Sequence, residues 1–190
     1  MAENRMTSKP SPPGRRILIA VVTGEAGRRI QAWREQHDAE QARRLPPHAT
    51  LCYWAPTVEP ELLERQVRHA FDAEGTPSVR LGEVRKGDND QETLYVEVLD
   101  TQPLNSMHAR LYDGAFVPLP GRDGWLWHVT CVRESRGKDQ EALWAAAQSL
   151  DLKDAPWTVD TVAYMELRGD RYESIATWQM QRQIAGHFLG

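Results

Sequence analysis

Two copies of one tripeptide, His48-Ala49-Thr50 and His128-Val129-Thr130, stand 80 residues apart in a chain of 190 residues. Each sits at the head of a predicted strand. In extended backbone, residues i and i+2 point to the same face, so each histidine lies beside its threonine. Ala49 and Val129 turn to the opposite face. Were two such strands to face one another, two imidazoles and two hydroxyls would converge. That set suits in-line cleavage of a phosphoester. One imidazole takes the proton of the attacking oxygen, and the other protonates the leaving oxygen. The hydroxyls donate to the non-bridging phosphate oxygens. An imidazole titrating near its ordinary value of about 6.5 can fill either role close to neutral pH.

The elements that must position this quartet can be read from residue patterns. Arg15–Thr23 (RRILIAVVT) is a short β-branched run closed by Gly24, which predicts a buried strand. Residues from Glu25 to about Arg44 predict one helix, with Ile30, Trp33 and His37 on its apolar stripe, ended by Pro46-Pro47. His48–Trp54 is the first motif strand, and Pro60–Ala73 a helix with Leu63, Val67 and Phe71 on one stripe. Ser78–Lys86 and Thr93–Leu99 predict a hairpin around Gly87-Asp88-Asn89-Asp90. Helix then recurs at Pro103–Phe116, the second motif strand at Trp125–Val132, helix at Lys138–Leu152, and strands at Trp157–Leu167 and Ser174–Met180. Helix, strand, helix and hairpin thus repeat, each motif falling at the equivalent place. Hairpin-paired strands between helices predict an α+β protein with mostly antiparallel sheets. Residues 1–14 read as a disordered leader, 15–180 as a single bilobal domain, and 181–190 as a tail.

These features resemble the 2H phosphoesterase superfamily, in its 2′-5′ RNA ligase and RNA 2′,3′-cyclic phosphodiesterase branch. The resemblance spans about residues 15–180, through RILIAVV, PPHATLCY, WHVTCV and the closing WTVDTVAYMELRGDRYESIATWQM. It implies a bilobal, pseudo-two-fold fold of two antiparallel sheets facing a central cleft, helices outside. It implies that His48 and His128 are the acid–base pair and that Thr50 and Thr130 bind the phosphate. It also implies catalysis without metal or cofactor. The expected substrates are RNA ends with a 2′,3′-cyclic phosphate, 2′-5′ linkages or small nucleotides. Two other readings stay open: a non-catalytic module for RNA ends or nucleotides, and a phosphodiesterase for 2′-5′ oligoadenylate or cyclic-nucleotide messengers.

The remaining residues narrow the field. Lys plus Arg is 23 against 27 Asp plus Glu, a net charge of −4, which argues against bulk electrostatic grip on duplex nucleic acid. Gly-x-Ser-x-Gly, Walker and Gly-x-Gly-x-x-Gly motifs are missing from the sequence, as are His-x-x-x-His and Cys-x-x-Cys zinc spacings. His37, His69, His108 and His187 read as structural. Cys52 and Cys131 read as reduced thiols of a cytoplasmic protein, Cys52 on the motif face of a straight strand and Cys131 opposite. Tyr164 and Trp125 are the candidate base-stacking rings, whereas Trp127, just before His128, is expected to face the core. Arg85, Arg133 and Arg168 lie on or beside the elements expected to form the cleft. A monomer is expected, with no protein partner and no membrane segment.

Overall fold

The structure, a computed structural model, describes residues 14–53, 59–72, 75–88, 92–112, 126–135 and 138–180. The expected leader, the tail and Trp125 lie outside the described residues. The elements run β1 (Arg16–Val21), α1 (Gly24–His37), α2 (Ala39–Arg44), β2 (His48–Cys52), α3 (Pro60–Asp72), β3 (Ser78–Lys86), β4 (Leu94–Leu99), α4 (Gln102–Tyr112), β5 (His128–Val132), α5 (Gln140–Gln148), β6 (Pro156–Thr158), β7 (Thr161–Arg168) and β8 (Arg171–Gln179). They build two four-stranded sheets in the orders β2-β1-β7-β8 and β5-β4-β3-β6. Every strand pair is antiparallel. Among the described residues, no helix is long and apolar enough to cross a membrane.

The unbroken apolar run of β1 reflects burial on both faces. Leu18 and Ala20 join the main core, into which α1, α3, α4 and α5 send Ile30, Leu63, Met107 and Leu143. Ile17 and Ile19 instead join a smaller cluster with Leu45, Ala163 and Met165. The main core also holds Val96, Val129 and Cys131 of the second sheet, so one apolar body underlies both. α3 shows the expected stripe, burying Leu63, Val67, Ala70 and Phe71.

Two expected elements are divided. The helix expected over residues 25–44 breaks at Asp38, whose backbone leaves the helical region (φ −147°, ψ 65°). Its amide still donates to Arg34 O at 2.7 Å, and its carboxylate accepts from Gln41 N at 3.4 Å as the cap of α2. The strand expected over residues 157–167 is also two strands. β6 pairs with β3 in one sheet, and β7 pairs with β1 and β8 in the other. The chain changes sheets at Val159–Asp160, where Val159 N donates to Pro77 O at 2.9 Å and Met180 N to Asp160 O at 2.6 Å. The two sheets are therefore not the two halves of the sequence: the closing hairpin returns to the sheet that carries β1 and β2.

α1 sits tightly on the exit of β1. A Cβ built on Gly27 would lie 2.0 Å from Val22 O and 2.9 Å from Val22 C, both backbone atoms. Gly27→Ala must therefore push the helix off the strand. The expected cost is about 1–3 kcal/mol, as for overpacked cores, seen as a melting temperature lowered by at least roughly 2 °C. Unchanged thermal unfolding of that variant would contradict this packing.

Candidate active site

His48 and His128 are each the first residue of their strand, and each strand is the outer strand of its sheet. β2 and β5 lie against one another but belong to separate hydrogen-bonded sheets. The local geometry is the same in both. His48 Nδ1 lies 2.7 Å from Pro46 O and His128 Nδ1 lies 2.9 Å from Leu126 O, two residues upstream in each case. The carbonyl immediately before each histidine is held by the neighbouring strand. Val22 N donates to Pro47 O at 2.9 Å, and Val98 N to Trp127 O at 3.2 Å. A carbonyl oxygen only accepts, so Nδ1 carries the ring proton and Nε2 the lone pair in each neutral imidazole. Both rings thus present the atom that can act as acid or base.

Thr50 and Thr130 are half-buried on the same faces as their histidines. In register, His48 lies opposite Val21 and Thr50 opposite Ile19. Thr130 lies opposite Tyr95 and His128 opposite Glu97. Among the described residues, neither threonine hydroxyl has a hydrogen-bond partner, so both are able to donate to a bound oxyanion.

The two imidazoles differ in setting. His48 retains 9% of its surface, whereas His128 is half-buried. The pKa of His48 is pushed down to about 3, chiefly by burial and next by the Arg34 cation. The Pro46 carbonyl opposes this, while His128 and Arg133 push the same way. His48 and His128 are therefore close enough for a charge on one ring to act on the other. Arg34 is itself fully buried. Burial lowers its pKa to about 10, which leaves it a cation at neutral pH.

Several expected site features are relocated. Tyr164 lies opposite Leu18, on the face away from His48 and Thr50, and is fully buried. Its hydroxyl accepts from Arg16 at 2.8 Å. A ring with no exposed face cannot stack on a base, so Tyr164 belongs to the core. Arg168 is tied at 2.9 Å to Glu166, opposite Arg16 in the β1–β7 register. Arg85 pairs with Glu97 at 3.2 Å and with Glu83 at 3.3 Å. Arg133 is exposed just beyond β5, its amide donating to Asp38 Oδ2 at 3.2 Å. Trp127 is buried in the main core, as expected. Cys52 does not share the motif face. A register shift between Leu18 and Ile19 pairs Leu18 with Cys52 and leaves Leu51 as the extra residue. Neither cysteine is in a disulfide and both are buried, and burial raises Cys131 to about 12.

Two residues at the site were not singled out from sequence. Tyr95 meets His128 edge-on, ring centroids 5.3 Å apart, and nothing short of the strand register could have placed it there. Arg34 could have been noticed, because it stands four residues after Ile30 on the buried stripe of α1, where a charge is unusual. Among the described residues, no three His, Cys, Asp or Glu side chains group as a metal site.

The sequence profile of the 2′-5′ RNA ligase superfamily matches residues 23–171. The chain belongs to that superfamily. Membership accords with the fold. The protein is similar to Escherichia coli LigT in its apo form at TM-score 0.50 and 17% identity, over 90% of this chain and 100% of that one. E. coli LigT complexed with ATP gives TM-score 0.51 and 17% identity over the same shares. A solved phosphoesterase gives 0.50 and 16%, again over 90% and 100%. No curated protein matches the sequence. The architecture is thus the 2H phosphoesterase fold, with two antiparallel sheets and helices outside.

The buried ring makes a pH prediction. The folded-state pKa of His48 lies near 3, below the value of about 6.5 for an unfolded histidine. Between these values the unfolded chain binds the extra proton, so this residue costs no stability above about pH 6.5 and progressively more as pH falls toward 3. ¹⁵N NMR of the histidine rings should show His48 neutral and Nδ1-protonated at pH 5. A His48 titration midpoint near 6.5 would contradict the buried-base geometry.

Proposed function

We propose that the protein is a phosphodiesterase that opens 2′,3′-cyclic phosphate or 2′-5′ phosphodiester bonds in RNA ends or small nucleotides, without a metal. The observation that carries this reading is the mirrored anchoring of two imidazoles, each presenting Nε2 from the adjoining edge strand of a separate sheet. In hydrolysis of a cyclic phosphate, water attacks phosphorus, one bond from phosphorus to a ribose oxygen breaks, and a phosphomonoester results. His48, neutral and deep, takes the proton from water. His128, the more exposed ring, enters protonated and gives its proton to the departing ribose oxygen. Thr50 and Thr130 donate to the non-bridging oxygens. A bound phosphate anion favours the charged form of His48, which brings it back toward the range of an effective base. With the 5′-hydroxyl of a second end attacking phosphorus in place of water and the ribose 3′ oxygen leaving, the same pair would join ends through a 2′-5′ linkage.

The substrate class follows from size and charge. An acidic chain with the exposed Arg133 near the paired rings suits a few phosphates better than a long polyanion. A nucleotide-sized ligand is supported by the shared fold with E. coli LigT, which was solved with ATP.

The decisive experiment incubates the protein with 2′,3′-cyclic nucleotides, 2′-5′ dinucleotides and 2′-5′ oligoadenylates in EDTA, following products by chromatography. Turnover of the cyclic nucleotides with a bell-shaped pH profile is expected. Binding without product would instead make the cleft a nucleotide-binding module. His48→Ala and His128→Ala should each lower kcat by at least about 10²-fold, the scale of one acid–base group. Near-normal activity in either variant would remove the pair from the chemistry. Thr50→Val and Thr130→Val keep shape and lose one donor. Each should cost roughly 10-fold or more in kcat/KM, the scale of a hydrogen bond to a charged group, with thermal unfolding unchanged.

A further inference from the structure

Arg34 reaches across the seam between the sheets. It projects from the last turn of α1 and is fully buried. Its Nε donates to Thr130 O at 2.9 Å, and Nη2 donates to the same oxygen. Its Nη1 donates to Leu45 O at 3.2 Å. Thr130 belongs to the second motif. Leu45 immediately precedes Pro46, whose carbonyl orients the His48 ring. A planar guanidinium offers its donors in a fixed fork, so carbonyls from the two motif segments are held at one separation. No side chain of ordinary reactivity is involved, and no step of the proposed chemistry uses this residue.

We propose that Arg34 is the positioning residue of the paired-histidine site, its guanidinium setting the separation of the two motif segments that it bonds. This rests on the reading of His48 and His128 as an acid–base pair. The fork does two things that a packing residue of equal size would not. It fixes the distance between two groups that must act on opposite sides of one phosphorus, where a misplacement of about 1 Å can cost on the order of 10²-fold. It also sets a permanent positive charge beside His48, which favours the neutral ring there. The other charged or titratable groups acting on His48 are His128 on β5 and Arg133 just beyond it. Cys131 on β5 and Asp38 beyond α1 act in turn on Arg34.

The test compares Arg34→Lys, Arg34→Gln and Arg34→Met with wild type, each checked for folding by circular dichroism and thermal unfolding. Lysine keeps the charge and loses the fork, glutamine keeps a short donor without charge, and methionine keeps neither. The expected result is a kcat lowered by about 10-fold to 10²-fold in all three, with KM for a 2′,3′-cyclic nucleotide within about 3-fold. The acid limb of the pH profile should move upward in the glutamine and methionine variants and hold its place in the lysine variant. Substrate-free NMR titration of the histidine rings gives the same comparison independently of turnover, with the His48 midpoint rising only in the two neutral variants. If wild type turns over none of the substrates, the functional reading fails while the ring titrations still judge Arg34. The proposal is overturned if a folded variant keeps kcat within 2-fold of wild type, or if the His48 midpoint does not respond to loss of the charge. Failure of all three variants to fold would also overturn it, because Arg34 would then be a structural residue only.

Discussion

Strands β2 and β5 touch without sharing a hydrogen-bond ladder, so whatever crosses the seam between the sheets fixes how His48 stands to His128. Helix α1 supplies most of that crossing. Three of its residues, within two turns, donate to backbone carbonyls on the far side: Arg29 to Leu150 O, Trp33 to Ala146 O at 3.0 Å and Arg34 to Thr130 O. One of these carbonyls, Ala146 O, lies in the last turn of α5, and another, Leu150 O, lies just beyond that helix. The third belongs to a motif threonine. Asp38, at the break between α1 and α2, adds a further tie by accepting from Arg133 N at 3.2 Å. The break expected least from sequence is therefore where the helix turns its capping carboxylate toward the exit of β5.

A buried cation is costly unless its donors are satisfied and a countercharge is near. Arg34 meets the first condition through two backbone carbonyls and the second through Asp38, which favours its charged form. The cost is turned to use one shell outward. The field that makes protonation of His48 unfavourable also favours an anion beside it. The surroundings of His48 are therefore locally positive, although the chain as a whole is acidic. His128 is less enclosed, so two chemically identical side chains stand in different surroundings.

Much of this was legible in the sequence because period and residue type speak directly to local structure. The two motifs, the run of β1, the stripe of α3 and the hairpin of β3 and β4 stand where the pattern put them. What failed was what depends on phase or on distant partners. Tyr164 lies in a strand that is apolar on both faces, so alternation could not say which face held the ring. Cys52 was displaced by a single extra residue opposite Leu18, a shift that a β-bulge hides from any count by twos. The change of sheet at Val159–Asp160 interrupts an apolar run without glycine or proline to announce it. Arg34 was hidden by its residue type, since arginine is read by default as solvent-facing.

The placement of both motifs at the head of an outer strand has a physical reason. Anchoring Nδ1 to the carbonyl two residues upstream needs an oxygen that no ladder claims as its principal bond. In the interior of a central strand, backbone carbonyls are engaged on alternating sides by two neighbours. At the start of an outer strand one side is open. Here the carbonyl just before each histidine goes to the neighbouring strand, from Val22 N and from Val98 N, while the one before that turns to the ring. Pro46 and Pro47 strengthen the arrangement before His48, since neither has an amide proton to enter a ladder. The paired-histidine geometry is thus a property of strand beginnings, and two such beginnings, brought side by side by the packing of α1, are what the fold provides.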